Sequence, residues 1–501
     1  MKRDRFYKRL FEIIPGLLTW STLITLCVLA FVKPVWTAIF VITFDLYWVI
    51  RISYLTTLLV VAHRRLEKEK KIDWLKKCES LGHIDGLEYG NVYHAVIFPA
   101  YKEGLDILTA SVMALEHANY PKDKIIVVLS VEERAGPEAC ENAQILRQKY
   151  GDTFFQFIVT RHPDNIPGEA RVKGANATWG ARVLKDFLDS KYVDYEHVVI
   201  SCFDADTCVE KDYFGCLAYH YITNPSRTQS SYQPIPVYNN NVWHARSVAR
   251  ILELSSSFMQ MIETMRLEKF VTFSSHSMSF RTLVDVDYWP VDMISDDSVI
   301  YWKCFLYFNG GYTVIPMYIT VSMDVATGKT ILETIAKQYK QKRRWAWGVE
   351  NFAYLMLGYM KDNKIPLRKK IRRAFHILER HYTWAVWAII ITFIAPLPLI
   401  FGGGLFRQTA IGYNLPSVSA VLFNVSLFTI FTCIFISMKL LPPRPKDVKP
   451  EKRLVMIAQW FVSPLVAALL GSTPAVDAQT RLMLGKYMHF YVTEKTRKKA
   501  K

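Results

Sequence analysis

Asp204 and Asp206 stand on either side of one alanine, directly after the apolar run His197–Phe203. In an extended segment residues i and i+2 project to one side, so both carboxylates are expected to face a single ligand. Two such carboxylates repel each other unless a cation separates them. Mg²⁺ or Mn²⁺ on a diphosphate is such a cation, because it takes one or two carboxylates and fills its shell with phosphate oxygens. A lone Asp-x-Asp is more often a solvated turn or a helix cap. Here a second acidic pair follows, Asp296-Asp297, and then Gln341-Lys342-Arg343-Arg344-Trp345 in a helix-compatible segment. Gln341, Arg344 and Trp345 fall at i, i+3 and i+4, on one helix face. An amide, a guanidinium and an indole together suit an anionic leaving group and a stacked sugar or base. Singly, that face would be an ordinary amphipathic helix packing its Trp. The order of the three sets points to chemistry on a phosphorylated substrate.

Such groups need a scaffold. Val92–Pro99, Lys124–Ser130 and His197–Phe203 are short β-rich runs, each followed by polar sequence. Strands alternating with helices predict a mainly parallel sheet covered on both faces, with ligands outside the carboxyl ends of the strands. The residues at those ends are Pro99-Ala100-Tyr101-Lys102-Glu103, Val131-Glu132-Glu133-Arg134 and Asp204-Ala205-Asp206.

The 501 residues are 51 % hydrophobic, with 62 Lys and Arg against 45 Asp and Glu, a formal charge of +17. This composition excludes a disordered chain, collagen and a disulfide scaffold. The apolar excess is concentrated in Ile13–Val32, in Val35–Ala62 (interrupted by Asp45 and Arg51), in Trp384–Gly402 and in Ser417–Met438. Each is long enough to cross a bilayer as a helix. Leu454–Leu470 is shorter, carries Gln459 and Ser463-Pro464, and is expected to be re-entrant or interfacial. Basic residues crowd the N-terminus, 63–78, 361–381, 439–453 and the C-terminal tail, and are nearly missing from the connections at 33–34 and 401–416. That asymmetry predicts a multi-pass protein of a plasma or inner membrane, with both termini and the large middle domain cytosolic. It also excludes a nucleic-acid partner, since the charge hugs span ends, where anionic lipid attracts it. The expected organisation is a membrane hairpin at 1–62, a globular domain at 63–360 and a basic amphipathic interface helix at 361–382. A membrane pair at 383–438 and a cytosolic region at 439–501 complete it. The eight cysteines show no metal-like spacing and read as buried thiols.

The ordered set PAYKE, VEER, FDAD, SDD and QKRRW resembles the membrane-integrated family-two glycosyltransferases. These are the inverting enzymes that include cellulose, chitin and hyaluronan synthases and, more distantly, ceramide glucosyltransferase. The resemblance implies a GT-A-type, Rossmann-like α/β domain between N- and C-terminal transmembrane helices. It implies that Pro99, Tyr101, Glu103, Glu132, Glu133, Lys173 and Asp204 bind a nucleotide sugar, with uridine as the expected base. Asp204 and Asp206 would hold Mg²⁺ or Mn²⁺, Asp297 would be the general base, and Gln341, Arg344 and Trp345 would meet the diphosphate and the acceptor. Phe490, Val492, Thr493 and Lys495 resemble the FxVTxK gating loop of cellulose synthases. Two positions depart from the family: glutamate replaces the usual aspartate at 132 or 133, and Ser295-Asp296 replaces Thr-Glu ahead of Asp297. The implied activity is a single displacement onto a growing polysaccharide at the cytosolic face, coupled to export. One alternative is transfer of a single sugar to a lipid acceptor. The competitor from another class is a nucleotide-sugar-binding transporter or an inactive scaffold. Protein partners are not legible.

Four other features take structural readings. Asp45 is costly in lipid and is expected to pair with Arg51 or a neighbouring helix, ahead of a role along a glycan path. His276 is expected to be structural, and Trp384 and Trp387 to be interface anchors. The sequon Asn176-Ala177-Thr178 is expected to stay unmodified on the cytosolic side.

Overall fold

The continuous apolar runs become central strands because a strand covered on both faces has no polar side to present. The chain, seen in a computed structural model that describes residues 2–492, forms one mixed sheet of eight strands. They are β1 (Tyr93–Ala100), β2 (Ile125–Glu132), β3 (Gln156–His162), β4 (Val198–Cys202), β5 (Cys208–Val209), β6 (Ser230–Tyr238), β7 (His276–Ser279) and β8 (Thr313–Met323). Their order is β3-β2-β1-β4-β7-β6-β8-β5. The first four are parallel neighbours, while β7 runs antiparallel between β4 and β6. This is the GT-A-type arrangement expected from the sequence, with flanking apolar helices at both ends of the chain. Every residue of β2 and β4 is buried.

Register does the positioning. Ala100 pairs with Val131 and Ile97 with Cys202, so the ends of β1, β2 and β4 share one edge. Tyr101, Glu132 and Asp204 therefore emerge side by side, as the strand-end rule requires.

Among the described residues five helices are long and apolar enough to cross a membrane: Arg3–Val32, Pro34–Glu69, Leu367–Phe401, Ala410–Lys439 and Lys452–Met483. The helices used below are α1 (Lys2–Val32), α2 (Pro34–Glu69), α3 (Lys173–Ser190), α4 (Ser247–Glu263), α5 (Asp296–Tyr307), α6 (Ile331–Ala346), α7 (Leu367–Ile389) and α8 (Ala410–Lys439).

Two boundaries differ from expectation. The basic stretch before 382 is not a helix of its own. It is the first part of α7, which continues into the apolar stretch because neither proline nor glycine interrupts Leu367–Ile389. The segment 454–470 likewise extends into the longer Lys452–Met483. Both parts of that segment are tied to the globular domain: Gln459 accepts a hydrogen bond from Arg250 at 2.9 Å, and Asp477 pairs with Arg343 at 2.8 Å. Arg51 does not pair with Asp45. Its partner is Glu379 of α7 at 2.7 Å, because α7 packs beside α2 and brings a carboxylate to it.

Candidate active site

The shared strand edge opens into a cavity of about 800 Å³. Pro99, Tyr101, Glu103, Glu132, Lys173, Asp204, Asp296, Asp297, Gln341, Arg344 and Trp345 all line it, with Phe490 and Val492 from the chain's last described segment. Thr493 and Lys495 lie outside the described residues. Most of the residues singled out from the sequence thus meet in one place, although they come from strand ends, two helix starts and one helix face.

Lys173 is the hub. It opens α3, where unpaired backbone N–H groups and the helix dipole favour an anion. Its ammonium lies 2.7 Å from Asp204, 2.9 Å from Asp297 and 3.9 Å from Asp296. Burial alone would lower its pKa, but Asp204 and Asp297 outweigh this and hold the group charged, well above the ordinary lysine value. A glycine follows because α3 starts against the Trp289–Pro290 turn. A Cβ at Gly174 would sit 2.6 Å from the Pro290 carbonyl and 3.1 Å from the Asp296 Cβ. That close approach sets α5, which begins with Asp296 and Asp297, beside Lys173.

The two acidic neighbours in α5 differ. Asp296 is buried, and burial together with the charge of Asp297 pushes its carboxyl well above the usual range. Asp297 lines the cavity and is half-buried, and its backbone carbonyl accepts the Thr272 hydroxyl at 2.6 Å. Ser295 anchors the turn, donating from its amide and its hydroxyl to Glu350 at 3.1 and 2.8 Å.

Asp204 and Asp206 do not project to the same side. The segment after β4 is a turn, closed by Thr207 N–H to the Asp204 carbonyl at 2.9 Å, so the alternation of an extended strand does not apply. Asp204 faces the cavity and accepts the Ser274 hydroxyl at 2.8 Å. Asp206 is fully buried and accepts the Asp324 amide at 2.7 Å. No group of three or more His, Cys, Asp and Glu side chains suited to a metal ion occurs among the described residues. Asp204 is the one carboxylate of the pair that reaches the cavity, and it would hold Mg²⁺ or Mn²⁺ beside phosphate oxygens.

The structure also separates Glu132 from Glu133. Glu132 lines the cavity, is buried and is held by Arg134, whose guanidinium lies 4.5 Å from the centre of the Tyr101 ring. Glu133 turns outward to Arg161 at 2.7 Å and to the Asp164 amide at 3.1 Å. Glu103 accepts the Tyr101 amide at 2.7 Å.

On α6, Gln341, Arg344 and Trp345 do share the face that meets the cavity. Trp345 packs against Tyr238 and Phe273, and the Lys342 ammonium lies 3.7 Å from its ring centre. Lys342 is in turn paired with buried Glu253 at 3.1 Å. Phe490 lies 4.9 Å from the Arg344 guanidinium.

Sequence reasoning missed Asn176, Ser274, Thr272 and Tyr238. Asn176 was legible only as a sequon, yet its amide bridges the Ala100 and Ser130 carbonyls at 3.2 and 2.8 Å and locks β1 to β2 at the cavity floor. His276 lies outside the cavity lining. It is buried against Trp289, and burial pulls its pKa down to about 4. Trp384 and Trp387 line the deep part of the cavity, and Trp387 packs on Trp48 with ring centres 5.0 Å apart.

No curated protein sequence matches the chain. Among solved structures, a mannosyltransferase from Pyrobaculum calidifontis in complex with GDP-Man and Mn²⁺ is 15 % identical, with a TM-score of 0.42 over 78 % of this chain and 99 % of that one. TarS 1–349 of S. aureus in complex with UDP-GlcNAc is 13 % identical, with a TM-score of 0.38 over 70 % and 93 %. Residues 199–441 match the model of the glycosyl transferase family group 2, a stretch that takes in Asp204, Asp297, the α6 face and the helices that follow.

Proposed function

We propose that the protein is an inverting glycosyltransferase that moves one sugar from a nucleotide-sugar donor to the hydroxyl of a membrane lipid. The donor's nucleoside would lie along Tyr101, Glu103 and Glu132, with its diphosphate at the start of α3 between Lys173 and Arg344. Mg²⁺ or Mn²⁺ on Asp204 would neutralise charge on the leaving diphosphate. Asp297 takes the proton of the attacking hydroxyl, which it must reach within roughly 2.6–3.2 Å. The Lys173 ammonium now holds Asp297. Donor phosphates give that ammonium an anion in place of Asp297 and leave Asp297 free to accept a proton. One base suffices, because a single displacement forms no covalent enzyme intermediate.

One observation carries the lipid acceptor: the cavity runs from Asp297 past the midpoints of the membrane helices, and its lining stops short of their far ends. Its lining reaches Trp48 on α2 and Phe423 on α8, and no residue of α1 contributes among those described. Trp48 lies about 21 Å, and Phe423 about 20 Å, from the far ends of their helices at 1.5 Å per residue. Beyond them Ala38, Val41, Phe406 and Leu415 pack into an apolar cluster. A pocket of this depth suits an amphiphile entering sideways. Export of a polysaccharide is the second reading, and Phe490 against Arg344, in the manner of a gating loop, favours it.

The deciding experiment presents radiolabelled nucleotide sugars with Mg²⁺ or Mn²⁺ to the protein in lipid nanodiscs and sizes the product. Label in the lipid fraction, one sugar long, supports the proposal; a high-mass polymer supports the second reading. In Asp297→Asn the rate should fall roughly 10²–10⁴-fold with nucleotide binding retained.

A further inference from the structure

The deep part of the cavity is cationic. Arg51, Arg266, Lys269, Arg373 and Arg380 line it against only two carboxylates, Glu263 and Glu379, an excess of three positive charges. Both carboxylates are already shared. Glu379 takes Arg51 at 2.7 Å and Lys269 at 3.3 Å, and Glu263 takes Arg266 at 3.1 Å and Arg380 at 2.9 Å. Arg373 meets no carboxylate among the described residues. Its guanidinium lies over Tyr301 and Phe305 at 5.9 and 5.7 Å. The facing wall is apolar, formed by Trp48, Trp387, Leu427 and Ile430. An anion placed there would meet several guanidinium and ammonium donors and balance the surplus charge.

The cluster is also close to the base. Lys269 leads in three residues to Thr272, whose hydroxyl reaches the Asp297 carbonyl at 2.6 Å. Three residues span at most ~10 Å of chain, so the backbones of Lys269 and Thr272 lie within that reach of each other.

Building on the lipid-acceptor reading, we infer that the acceptor is a phosphate-bearing lipid whose headgroup carries a free hydroxyl beyond the phosphate. The phosphate sits on Lys269, Arg380 and Arg51, and the chains lie along the apolar wall of Trp48, Trp387, Leu427 and Ile430. A short headgroup of one or two sugar or polyol units brings its hydroxyl toward Asp297, which lines the same cavity. The new bond joins that oxygen to the donor's anomeric carbon as the bond from that carbon to the diphosphate breaks. The hydroxyl proton passes to Asp297, and the nucleoside diphosphate leaves with the electron pair.

The test uses full-length protein in phosphatidylcholine nanodiscs doped with phosphatidylglycerol or, separately, with a neutral glycosyl diacylglycerol. Native mass spectrometry counts retained lipid, and nucleotide binding is measured on the same samples. Phosphatidylglycerol should be retained at least tenfold over the neutral lipid, and Lys269→Gln or Arg380→Gln should each weaken this about tenfold. Both variants should still fold, because Glu379 keeps Arg51 and Glu263 keeps Arg266. Arg407→Gln, which removes a cation far from the cavity, should change nothing. Equal retention of the neutral lipid, equal effects of all three substitutions, or displacement of phosphatidylglycerol by glycerol phosphate in solution would overturn the inference while leaving a neutral acceptor open. Loss of nucleotide binding in the wild type would instead sink the transferase reading itself, and this inference with it.

Discussion

If Lys173 bridges Asp204 and Asp297, removing it and removing one of its anions should not be independent events. The ammonium is only 10 % exposed, so solvent screens it weakly. At 2.9 Å and an effective dielectric near 20, its gross attraction to Asp297 is about 6 kcal/mol, most of which desolvation offsets. Lys173→Met strands the half-buried Asp204 and Asp297, and with solvent screening part of the effect it should cost about 3 kcal/mol. Asp297→Asn leaves Lys173 with Asp204 and should cost about 1 kcal/mol. In the double variant the stranded pair is already relieved, so its cost should fall short of the sum by about 2 kcal/mol, within the usual range for touching charged residues. Melting of nanodisc-embedded protein at one fixed scan rate measures all four corners. Binding of a nucleoside diphosphate supplies a second readout. Lys173→Met should weaken it tenfold or more, whereas Asp297→Asn, which removes one of the ammonium's competing anions, should leave it as tight or tighter. Additivity within about 0.5 kcal/mol, or equal loss of nucleotide binding in both single variants, would refute the bridge.

Two further predictions rest on single contacts. Glu132→Gln should raise the dissociation constant for the nucleotide at least tenfold and Glu133→Gln by less than twofold in titrations of the two variants, because only Glu132 faces the cavity. His94 is buried between Tyr120 and Phe214 with neither ring nitrogen hydrogen-bonded among the described residues, and burial pulls its pKa down to about 3. Its unfolded value near 6.5 is higher, so the unfolded chain gains the proton first and stability is lost as pH falls below about 6.5. From pH 7.5 to pH 5 that loss is about 2 kcal/mol. His94→Phe should therefore melt no lower than the wild type at pH 7.5 and show a visibly shallower acid limb.

The parts of the fold that were legible are those with a local signature. Val92–Pro99, Lys124–Ser130 and His197–Phe203 fall within one or two residues of β1, β2 and β4, since a doubly covered strand must be apolar throughout. The i, i+3, i+4 spacing of Gln341, Arg344 and Trp345 survives as a real face of α6 for the same reason. The Asp204–Asp206 geometry did not survive. Alternation holds only while the backbone stays extended, and the chain turns one residue after β4, sending Asp206 to the Asp324 amide. The choice between Glu132 and Glu133 was equally out of reach, because it depends on Arg134 and Arg161 approaching from opposite sides of a strand end.

The deep cavity shows the limit most clearly. Period and charge place Arg51 inside an apolar helix and set Arg380 and Glu379 in a basic one, but neither says which helix packs against which, or at what depth. Asp45 was the near candidate for Arg51 in sequence, and Glu379, from the other end of the chain, is the partner in space. Once α2, α7 and the loop after α4 converge, two carboxylates are left to serve five cations, and the surplus belongs to the assembled cavity rather than to any segment. The same convergence stops the cavity short of the far ends of the helices. On the proposed reading, a positively charged pocket continuous with Asp297 suits a short anionic headgroup with chains attached. A neutral polymer would draw nothing from that charge, and on its way across it would still have to pass the level of Ala38, Val41, Phe406 and Leu415.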